Sequence, residues 1–191
     1  MKRKIYEDLL KWKESEDRKP LVLQGARQVG KTYIANLFGA ENYANVVYCN
    51  FEKEHGLKDF FTDLTAQNII RKLGNYKRKE IMPNHTLIIF DEVQACPEAL
   101  TSLKYFCEEA PEYHVIAAGS LLGVAIHEGV SYPVGKVDML DLYPLNFREF
   151  LYAVDEAGLA EALGTKDYEL IDNFSDKYLF WLKNYYYTVV M

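Results

Sequence analysis

The sequence predicts an α/β protein: a parallel five-stranded sheet with helices on both faces, followed by a C-terminal helical segment. Two observations predict this class. Short apolar runs bounded by turn residues alternate with longer segments of helical periodicity, the pattern of strands and helices in a parallel sheet. From Asn146 onward the helical pattern is continuous. With 191 residues, 49% of them hydrophobic and 26% charged, the chain suits one globular domain with a small appendage.

The first two elements are a helix and a strand. Ile5, Leu9 and Trp12 recur at helical spacing with charged residues between them, which predicts an amphipathic helix. The apolar run "LVLQ" follows, bounded by Pro20 and Gly25. It is too short for a helix and suits a buried parallel strand.

The next elements repeat this alternation. A helix is expected from Lys31 to Phe38, with Gly39 as its stop. "NVVYCNF", "TLIIFDE" and "YHVIAAGS" read as strands. Two helices are expected between them: "GLKDFFTDLTAQNIIRKL", and "PEALTSLKYFCEEA" with Pro97 in its first turn.

The last part of the chain contains one more strand and then helices. "KVDMLDLYPL" alternates well enough for a fifth strand. Asn146 and Glu149 have the spacing of a capping box, and "KDYELIDNFSDKYLFWLKNYYY" carries apolar residues at helical spacing. We therefore expect a first domain over residues 1–145 and a helical appendage over 146–191.

The charge and the hydropathy narrow the classes of partner. A formal charge of -6 and a pI near 5.3 give no net attraction to nucleic acid or anionic lipid. The basic runs Lys2-Arg3-Lys4 and Lys77-Arg78-Lys79 are short enough to be solvated helix ends or turns. The chain has no apolar targeting segment and no apolar stretch long enough to span a bilayer. We expect a cytoplasmic protein without a membrane segment, and nucleic-acid binding has no support in the charge.

The cysteines and histidines do not form a recognisable site. Cys49, Cys96 and Cys107 are odd in number and lack a Cys-x-x-Cys pair, so reduced, buried thiols are expected rather than disulfides or a zinc site. The four histidines show no metal-ligand spacing. They are His55, His85, His114 and His127.

A glycine-rich loop is the strongest chemical signal. Gly25, Gly30, Lys31 and Thr32 fit G-x-x-x-x-G-K-[ST], with a predicted strand before the motif and a predicted helix after it. Such a loop points its backbone N–H groups at an anion, beside a helix N-terminus whose dipole favours negative charge. Lys31 would reach the β- and γ-phosphates of a nucleotide, and Thr32 would hold Mg²⁺. The alternative is a glycine turn that binds nothing. The expected nucleotide contacts are Gly25, Ala26, Arg27, Gln28, Val29, Gly30, Lys31, Thr32 and Tyr33.

An acidic pair follows the buried strand "LIIF". Asp91 and Glu92 stand at its carboxyl end, where ligands of open parallel sheets bind. Asp91 is the expected Mg²⁺ partner, and Glu92 is the expected base that polarises a water toward the γ-phosphate. A solvated acidic pair ending a strand is the alternative. The complete strand "NVVYCNF" lies between the glycine loop and Asp91, an arrangement typical of ATPases with an added strand and a catalytic glutamate.

Four motifs in order resemble one family. "LQGARQVGKT", "LIIFDEVQACPEAL", "VIAAGSLLG" and "VGKVDMLDLYPLNFREFL" together resemble the AAA-type P-loop ATPases of bacteria and archaea, over about residues 1–153. The resemblance implies an AAA-like P-loop fold that binds ATP with Mg²⁺. It also implies a further C-terminal domain or a protein partner, and it is compatible with an oligomer. In the family the nucleotide domain precedes that further domain, whereas this sequence stops at Met191.

The resemblance also suggests roles for individual residues. Ser120 occupies the place of the residue that senses the γ-phosphate, although a serine that merely starts a loop fits equally well. Arg27 matches the family's Gly-Ala-Arg-Gln loop and is expected to contact nucleotide or a neighbour. Lys136 stands where the family often has arginine; lysine keeps the charge but lacks the planar fork that an arginine finger offers a phosphate. Arg148 is expected to be a surface charge.

These residues are compatible with three functions. The first is an ATPase whose catalytic residues are Lys31, Glu92 and Ser120, coupled to movement of an attached domain or partner. The second is a nucleotide-gated binding module with negligible turnover unless a partner supplies a cation. A small-molecule kinase is third, and the segment from Val124 to Gly135 lacks the arginine that its lid would need. A GTPase is disfavoured because no N-K-x-D motif occurs and because Asp91 is followed by Glu92, Val93 and Gln94, which do not form a D-x-x-G switch.

Overall fold

A computed structural model describes residues 3–120, 133 and 135–190 of the chain, the side chain of residue 190 excepted. The chain divides into two compact units. One is Asp8–Leu142, and the other combines Met1–Glu7 with Tyr143–Met191.

The Asp8–Leu142 unit is built on a sheet. Its described residues form a five-stranded sheet in the order β2-β3-β4-β1-β5, with every neighbouring pair parallel. All five predicted strands are confirmed. They are β1 (Leu21–Gln24), β2 (Asn45–Asn50), β3 (Thr86–Asp91), β4 (His114–Gly119) and β5 (Asp138–Asp141). Because the strands are parallel, the residues that follow their carboxyl ends meet at one edge of the sheet.

Helices cover both faces of this sheet, as predicted. On one face α2 packs against β2, β3 and β4, and on the other α3 and α4 pack against each other and against β2 and β4. The bounds are α1 (Ile5–Glu14), α2 (Lys31–Asn42), α3 (Ala66–Lys77) and α4 (Pro97–Glu109). Two 3₁₀ helices, His55–Phe61 and Val93–Ala95, follow the carboxyl ends of β2 and β3.

The core between α3, α4 and the sheet is rich in aromatic rings. Phe90 of β3 makes edge-to-face contacts with Phe51, Phe61 and Phe106, at centroid distances of 5.7, 5.4 and 6.1 Å. All four rings are fully buried. Such contacts contribute roughly 0.5–1.5 kcal/mol each beyond the burial of apolar area. This core therefore fixes the strand whose end carries the acidic pair.

The prediction that Gly39 ends its helix is wrong. Helix α2 continues to Asn42, and the Gly39 carbonyl accepts the Tyr43 N–H at 3.0 Å. A Cβ on Gly39 would stand 2.8 Å from Val46 Cγ2 and 3.1 Å from Leu87 Cδ2. Glycine is therefore used here for close approach of the helix to the sheet.

The long helix predicted over "GLKDFFTDLTAQNIIRKL" is also wrong, because the structure breaks it. A 3₁₀ helix ends at Phe61 and α3 begins at Ala66. Between them the Asp63 carboxylate accepts the N–H and hydroxyl of Thr65 at 3.0 and 2.7 Å, and the Asn68 amide at 2.6 Å. The Asp63 carboxylate thus accepts hydrogen bonds from N–H and hydroxyl groups near the start of α3. These local bonds compete with the backbone bonds of a continuous helix.

The second unit is helical in the part that the structure describes. The predicted capping box of Asn146 and Glu149 is confirmed at the start of α5. The predicted long helical stretch near the C-terminus is divided at Phe174. The helices are α5 (Phe147–Ala153), α6 (Ala157–Thr165), α7 (Tyr168–Asn173) and α8 (Ser175–Tyr185), followed by a π-helical turn (Tyr186–Val190).

Side-chain bonds hold these helices together. The Tyr178 hydroxyl donates to the Leu159 carbonyl at 2.7 Å and is the polar end of a small apolar core. Arg148, expected to be a plain surface charge, donates from Nε to the Ala160 carbonyl at 2.9 Å. It therefore links α5 to α6.

The three cysteines are free thiols. Cys49 and Cys96 are buried and Cys107 is partly buried. Burial raises the pKa of the Cys49 thiol to about 12 and that of Cys96 to about 11, so both stay protonated at neutral pH. No helix in the described ranges has both the length and the apolar character required to cross a membrane.

Candidate functional site

The glycine loop joins the carboxyl end of β1 to the start of α2, as its sequence context predicts. A Cβ on Gly25 would collide with the backbone carbonyl oxygen of Leu142 just after β5, so only glycine fits beside that strand. Gly30 has a φ of 94° and forms the N-cap of α2. That left-handed conformation favours glycine and turns the chain into the helix. The loop therefore ends at a helix N-terminus, where backbone N–H groups lack partners within the helix.

The Lys31 side chain lies inside this loop. Its Nζ donates to the Gly25 carbonyl at 2.9 Å and to the Ala26 carbonyl at 2.6 Å, and the residue is only 7% exposed. Burial lowers the pKa of Lys31 below its ordinary value, while the charges of Glu92 and Asp91 act in the opposite direction. The ammonium is thus held at the base of the loop and close to two acidic residues.

Asp91, at the carboxyl end of β3, is the centre of a hydrogen-bond network. Its Oδ2 accepts the Thr32 hydroxyl at 2.9 Å and the Tyr48 hydroxyl at 2.6 Å, and its Oδ1 accepts the Glu92 N–H at 3.1 Å. Asp91 is 2% exposed, so these bonds replace water around a buried carboxylate. The network connects the loop and α2 to the ends of β2 and β3.

Tyr48 extends this network along β2. Its hydroxyl oxygen accepts the Asn50 side-chain amide at 3.1 Å. Burial raises the pKa of Tyr48 to about 12, and the hydrogen bond to Asp91 acts in the same direction. The phenol therefore keeps its proton and donates it to the carboxylate.

Glu92 leaves the end of β3 in an unusual backbone conformation. Its φ of 52° and ψ of 45° are left-handed, a region that a residue with a Cβ rarely adopts. Its carboxylate accepts the Gln94 side-chain amide. Residues held in such conformations cluster at functional sites, where the surrounding structure keeps them strained.

A cavity of about 640 Å³ opens at this edge of the sheet. Its volume falls within the range of about 300–1,000 Å³ that is usual for small-molecule sites. It joins the glycine loop to residues that follow the carboxyl ends of β2, β3 and β4. The lining residues are Arg27, Gln28, Gly30, Lys31, Thr32, Tyr33, Glu52, Glu92 and Ser120.

Ser120 lines this cavity just after the end of β4. Its Oγ is buried and has no hydrogen-bond partner among the residues that the structure describes. A buried hydroxyl without a partner is uncommon in folded proteins and suggests that a ligand completes its bonding. This observation favours a role at the site over a serine that merely starts a loop.

Thr32 and Asp91 supply oxygen atoms that suit Mg²⁺. The two side chains are already 2.9 Å apart, and hydroxyl and carboxylate oxygens are the hard ligands that Mg²⁺ prefers. Across residues 3–120 and 135–190, no group of three or more His, Cys, Asp or Glu side chains could hold a metal. Mg²⁺ is usually bound through one or two carboxylates together with phosphate oxygens.

The structure therefore brings together most of the predicted site residues at one edge. Gly25, Ala26 and Val29 are not among the cavity's lining residues; the first two contact Lys31 through their carbonyls. Asp91 is not among the lining residues either, but its carboxylate accepts the hydroxyl of Thr32, which is. Of the segment Val124–Gly135, whose lack of arginine disfavours a kinase lid, only Pro133 and Gly135 are described, and His127 also lies outside the described residues.

Lys136 is not brought to this edge. It precedes the amino end of β5, and its Nζ lies 2.9 Å from Glu108 Oε1 near the end of α4. The amino ends of parallel strands lie at the opposite edge from the glycine loop. Lys136 therefore cannot act as a finger on its own chain's cavity in this arrangement.

Sequence reasoning missed Glu52, Tyr48, Asn50 and Gln94. Glu52 follows the carboxyl end of β2, and Asn50 ends that strand directly beside Asp91. The available signal was Tyr48 and Asn50, two polar residues on one face of β2, next to the strand that carries Asp91.

The sequence matches a protein family over most of its length. The profile of a family described as "AAA domain" matches residues 17–151. The comparison with curated proteins found no significant match.

Solved structures match the fold at low sequence identity. Drosophila ORC bound to DNA matches with a TM-score of 0.53 and 15% identity, over 87% of this chain and 47% of that one. The ORC1 protein of Aeropyrum pernix in complex with DNA gives a TM-score of 0.47 and 16% identity, over 81% and 48%. AMPPCP-bound DnaA from Aquifex aeolicus gives 0.47 and 16%, over 81% and 49%. The chain spans about half the length of these structures.

The profile match covers more than half of the chain and includes both the glycine loop and the acidic pair. The likeness to Drosophila ORC is evidence for the fold alone. On this evidence the chain belongs to the AAA domain family.

Proposed function

We propose that this chain binds Mg-ATP in the cavity of about 640 Å³ and hydrolyses it, and that hydrolysis drives a conformational change in an attached domain or a protein partner. One observation carries the proposal. The cavity combines the glycine loop and Lys31 with Glu92 and Ser120, which follow two neighbouring strands. These are the groups that phosphoryl transfer to water needs: a phosphate cradle, a cation, a base and a polar contact for the γ-phosphate.

The loop would hold the phosphates. The free N–H groups at the start of α2 and the dipole of that helix favour an anion there. Lys31 Nζ already has two acceptors, the Gly25 and Ala26 carbonyls, and could exchange them for phosphate oxygens by a small movement. Charge-assisted bonds to phosphate are stronger than bonds to neutral carbonyls, which supports this exchange.

Thr32 and Asp91 would hold Mg²⁺ next to the phosphates. When bound, the metal neutralises part of the charge on the β- and γ-phosphate oxygens. The chain's own contribution is the hydrogen bond from the Thr32 hydroxyl to Asp91, at 2.9 Å, which holds the two expected ligands side by side. This preorganisation favours binding because less side-chain freedom is lost on binding.

Hydrolysis would use Glu92 as the base. Its carboxylate lines the cavity together with Lys31, so a water between Glu92 and the γ-phosphate would be polarised for attack. Ser120 would donate its hydroxyl to a γ-phosphate oxygen.

The second candidate is a nucleotide-gated module that binds ATP with negligible turnover by itself. One observation favours it: Glu92 Oε2 accepts the Gln94 side-chain amide, so one of the two carboxylate oxygens is bonded within the chain itself. In addition, Lys136 pairs with Glu108 and is not among the residues that line the cavity. A small-molecule kinase remains a weaker alternative, since it needs an acceptor pocket.

We place the protein in the cytoplasm, with a protein partner or a further domain as the target of the conformational change. Two of the matched structures are bound to DNA, and both are under 25% identical to this chain. The formal charge of -6 does not favour nucleic-acid binding, and we do not propose it.

Two substitutions separate these functions. We expect Lys31→Ala to weaken ATP binding by at least about tenfold, because charge-assisted bonds to phosphate are lost. We expect Glu92→Gln to keep ATP binding and to lower the rate of phosphate release by about 100-fold or more. The measurements are equilibrium ATP binding with Mg²⁺ and steady-state release of phosphate.

The exposed residues Lys104 and Glu98 provide matched controls on α4. Lys104→Ala and Glu98→Gln should leave binding and release unchanged. Binding of ATP without phosphate release by the wild type would favour the nucleotide-gated module. Equal ATP affinity of the wild type and Lys31→Ala would refute the proposal.

A further inference from the structure

A chain of side-chain hydrogen bonds runs from β2 to the expected metal ligands. The Asn50 amide donates to Tyr48, Tyr48 donates to Asp91 Oδ2 at 2.6 Å, and the same oxygen accepts from Thr32. Asn50 and Asp91 are opposite each other in the register of β2 and β3. This series of hydrogen bonds therefore connects three elements: α2, β3 and β2.

The direction of the Tyr48 bond is fixed by its neighbours. The Asn50 Oδ1 accepts the backbone N–H groups of Glu52 and Lys53 at 3.1 and 2.9 Å, so its amide nitrogen must be the atom that faces Tyr48. That nitrogen donates to the phenol oxygen, and the phenol proton is left to point at Asp91, whose carboxylate only accepts.

The two oxygens of Asp91 differ in how they are held. Oδ1 accepts one bond, from the Glu92 N–H, whereas Oδ2 accepts two, from Tyr48 and Thr32. Thr32 is itself an expected metal ligand, so its hydroxyl has to serve both the metal and the carboxylate. Tyr48 also donates to Oδ2, but it is not an expected metal ligand.

We propose that Tyr48 is a positioning residue for the metal site: its hydroxyl holds the Asp91 carboxylate in the orientation that Mg²⁺ needs, so that the gain in ATP affinity on adding Mg²⁺ depends on it. This inference rests on the proposed binding of Mg-ATP. Partners that orient a metal ligand typically change metal affinity or activity by about 10- to 100-fold when they are removed.

The test is Tyr48→Phe in the full chain, with ATP binding measured in EDTA and over a titration of Mg²⁺. The substitution removes one oxygen atom and keeps the ring. We expect ATP affinity in EDTA to stay within about twofold of the wild type, because Tyr48 is not among the residues that line the cavity. The Mg²⁺ concentration that gives half of the increase in affinity should rise by about tenfold.

Tyr43→Phe is the matched control. It also removes a hydrogen-bonded phenol oxygen, but its partner is His114 Nδ1 at the amino end of β4, the opposite edge of the sheet from Asp91. Tyr43→Phe should leave the Mg²⁺ titration unchanged, even where it lowers the melting temperature.

The outcomes separate this inference from the proposed function. An unchanged Mg²⁺ titration for Tyr48→Phe would overturn the inference alone, provided that the wild type responds to Mg²⁺. A loss of ATP affinity in EDTA equal to the loss in Mg²⁺ would overturn it too, because the hydroxyl would then have a general structural role. If the wild type fails to bind ATP at all, the proposed function itself is wrong.

Discussion

At the scale of single residues, the cavity is more acidic than its glycine loop suggests. Lys31 and Arg27 are its cations, while Glu52 and Glu92 line it and Asp91 lies behind Thr32. ATP brings several further negative charges to these carboxylates. Such a site should bind ATP strongly only when a metal neutralises part of that charge.

Glu52 is the carboxylate of this group with no assigned role in metal binding or hydrolysis. We expect Glu52→Gln to increase ATP affinity by about threefold at low ionic strength, because one repulsive charge at the surface contributes roughly 0.7 kcal/mol. The gain should shrink as salt is added, since Glu52 is exposed and its charge is screened. The measurement is ATP binding at two salt concentrations.

Glu16→Gln is the control for this prediction. Glu16 is exposed in the turn before the amino end of β1, so its charge lies far from the glycine loop. A weaker affinity of Glu52→Gln for ATP would contradict the prediction and would indicate that Glu52 helps to hold the metal.

The residues of this site differ in how far the sequence predicts them. Lys31 and Thr32 follow from a local motif, and Asp91 from its place after an apolar strand. Tyr48 could not be predicted in the same way, because its bond to Asp91 depends on the register between β2 and β3. The register depends on the packing of the whole sheet and cannot be predicted from the sequence of either strand alone.

At the scale of elements, the sequence predicts where helices and strands exist better than where they end. Gly39 resembles a helix stop, but α2 passes through it because the helix must approach Val46 closely. Asp63 breaks a segment whose apolar spacing is continuous. Both features depend on which groups are near in space, and a helical pattern contains no information about them.

Gly39→Ala provides a test of this explanation. Alanine is favoured over glycine inside a helix by about 1 kcal/mol, but overpacking a filled core costs typically about 1–3 kcal/mol. With the new Cβ 2.8 Å from Val46 Cγ2, we expect the overpacking to outweigh the propensity and the free energy of unfolding to fall. Urea unfolding followed by circular dichroism measures this change.

Gly158→Ala is the comparison, because Gly158 also lies in a helix, α6, and a Cβ there meets no atom within 4 Å. Its stability should stay the same or increase. If both substitutions stabilise the protein, Gly39 is not needed for close packing.

At the scale of the whole molecule, the carboxyl and amino edges of the parallel sheet carry different groups of residues. The carboxyl edge collects Lys31, Glu92 and Ser120, which are far apart in the sequence. The alternation of strands and helices in the sequence predicts a parallel sheet, but it does not predict which strands are neighbours. The strand order comes from the structure. In the same topology Lys136 lies at the amino edge, paired with Glu108.

The amino edge holds a buried histidine that should make the stability of the protein sensitive to acid. His114 is 4% exposed, its Nδ1 accepts the Tyr43 hydroxyl at 2.6 Å, and its ring makes an edge contact with Trp12. Burial, helped by the charges of Arg18 and Lys13, lowers the pKa of His114 from 6.5 to about 4. Protonation would leave the Tyr43 hydroxyl without its acceptor.

Between pH 6.5 and about 4 the unfolded chain therefore binds a proton at His114 that the folded chain does not, so stability falls as the pH falls through this window. From pH 7 to pH 5 we expect the free energy of unfolding to drop by about 2 kcal/mol through His114. Carboxylates with lowered pKa values, such as Asp63, Glu108 and Glu156, lose their contribution to stability only at lower pH, below the ordinary carboxyl range.

Urea unfolding at pH 7 and pH 5 should show this loss of stability for the wild type and for His85→Gln, whose histidine is exposed. The loss should be much smaller for His114→Gln. An equal pH dependence in all three proteins would show that His114 does not link the folding of this unit to pH.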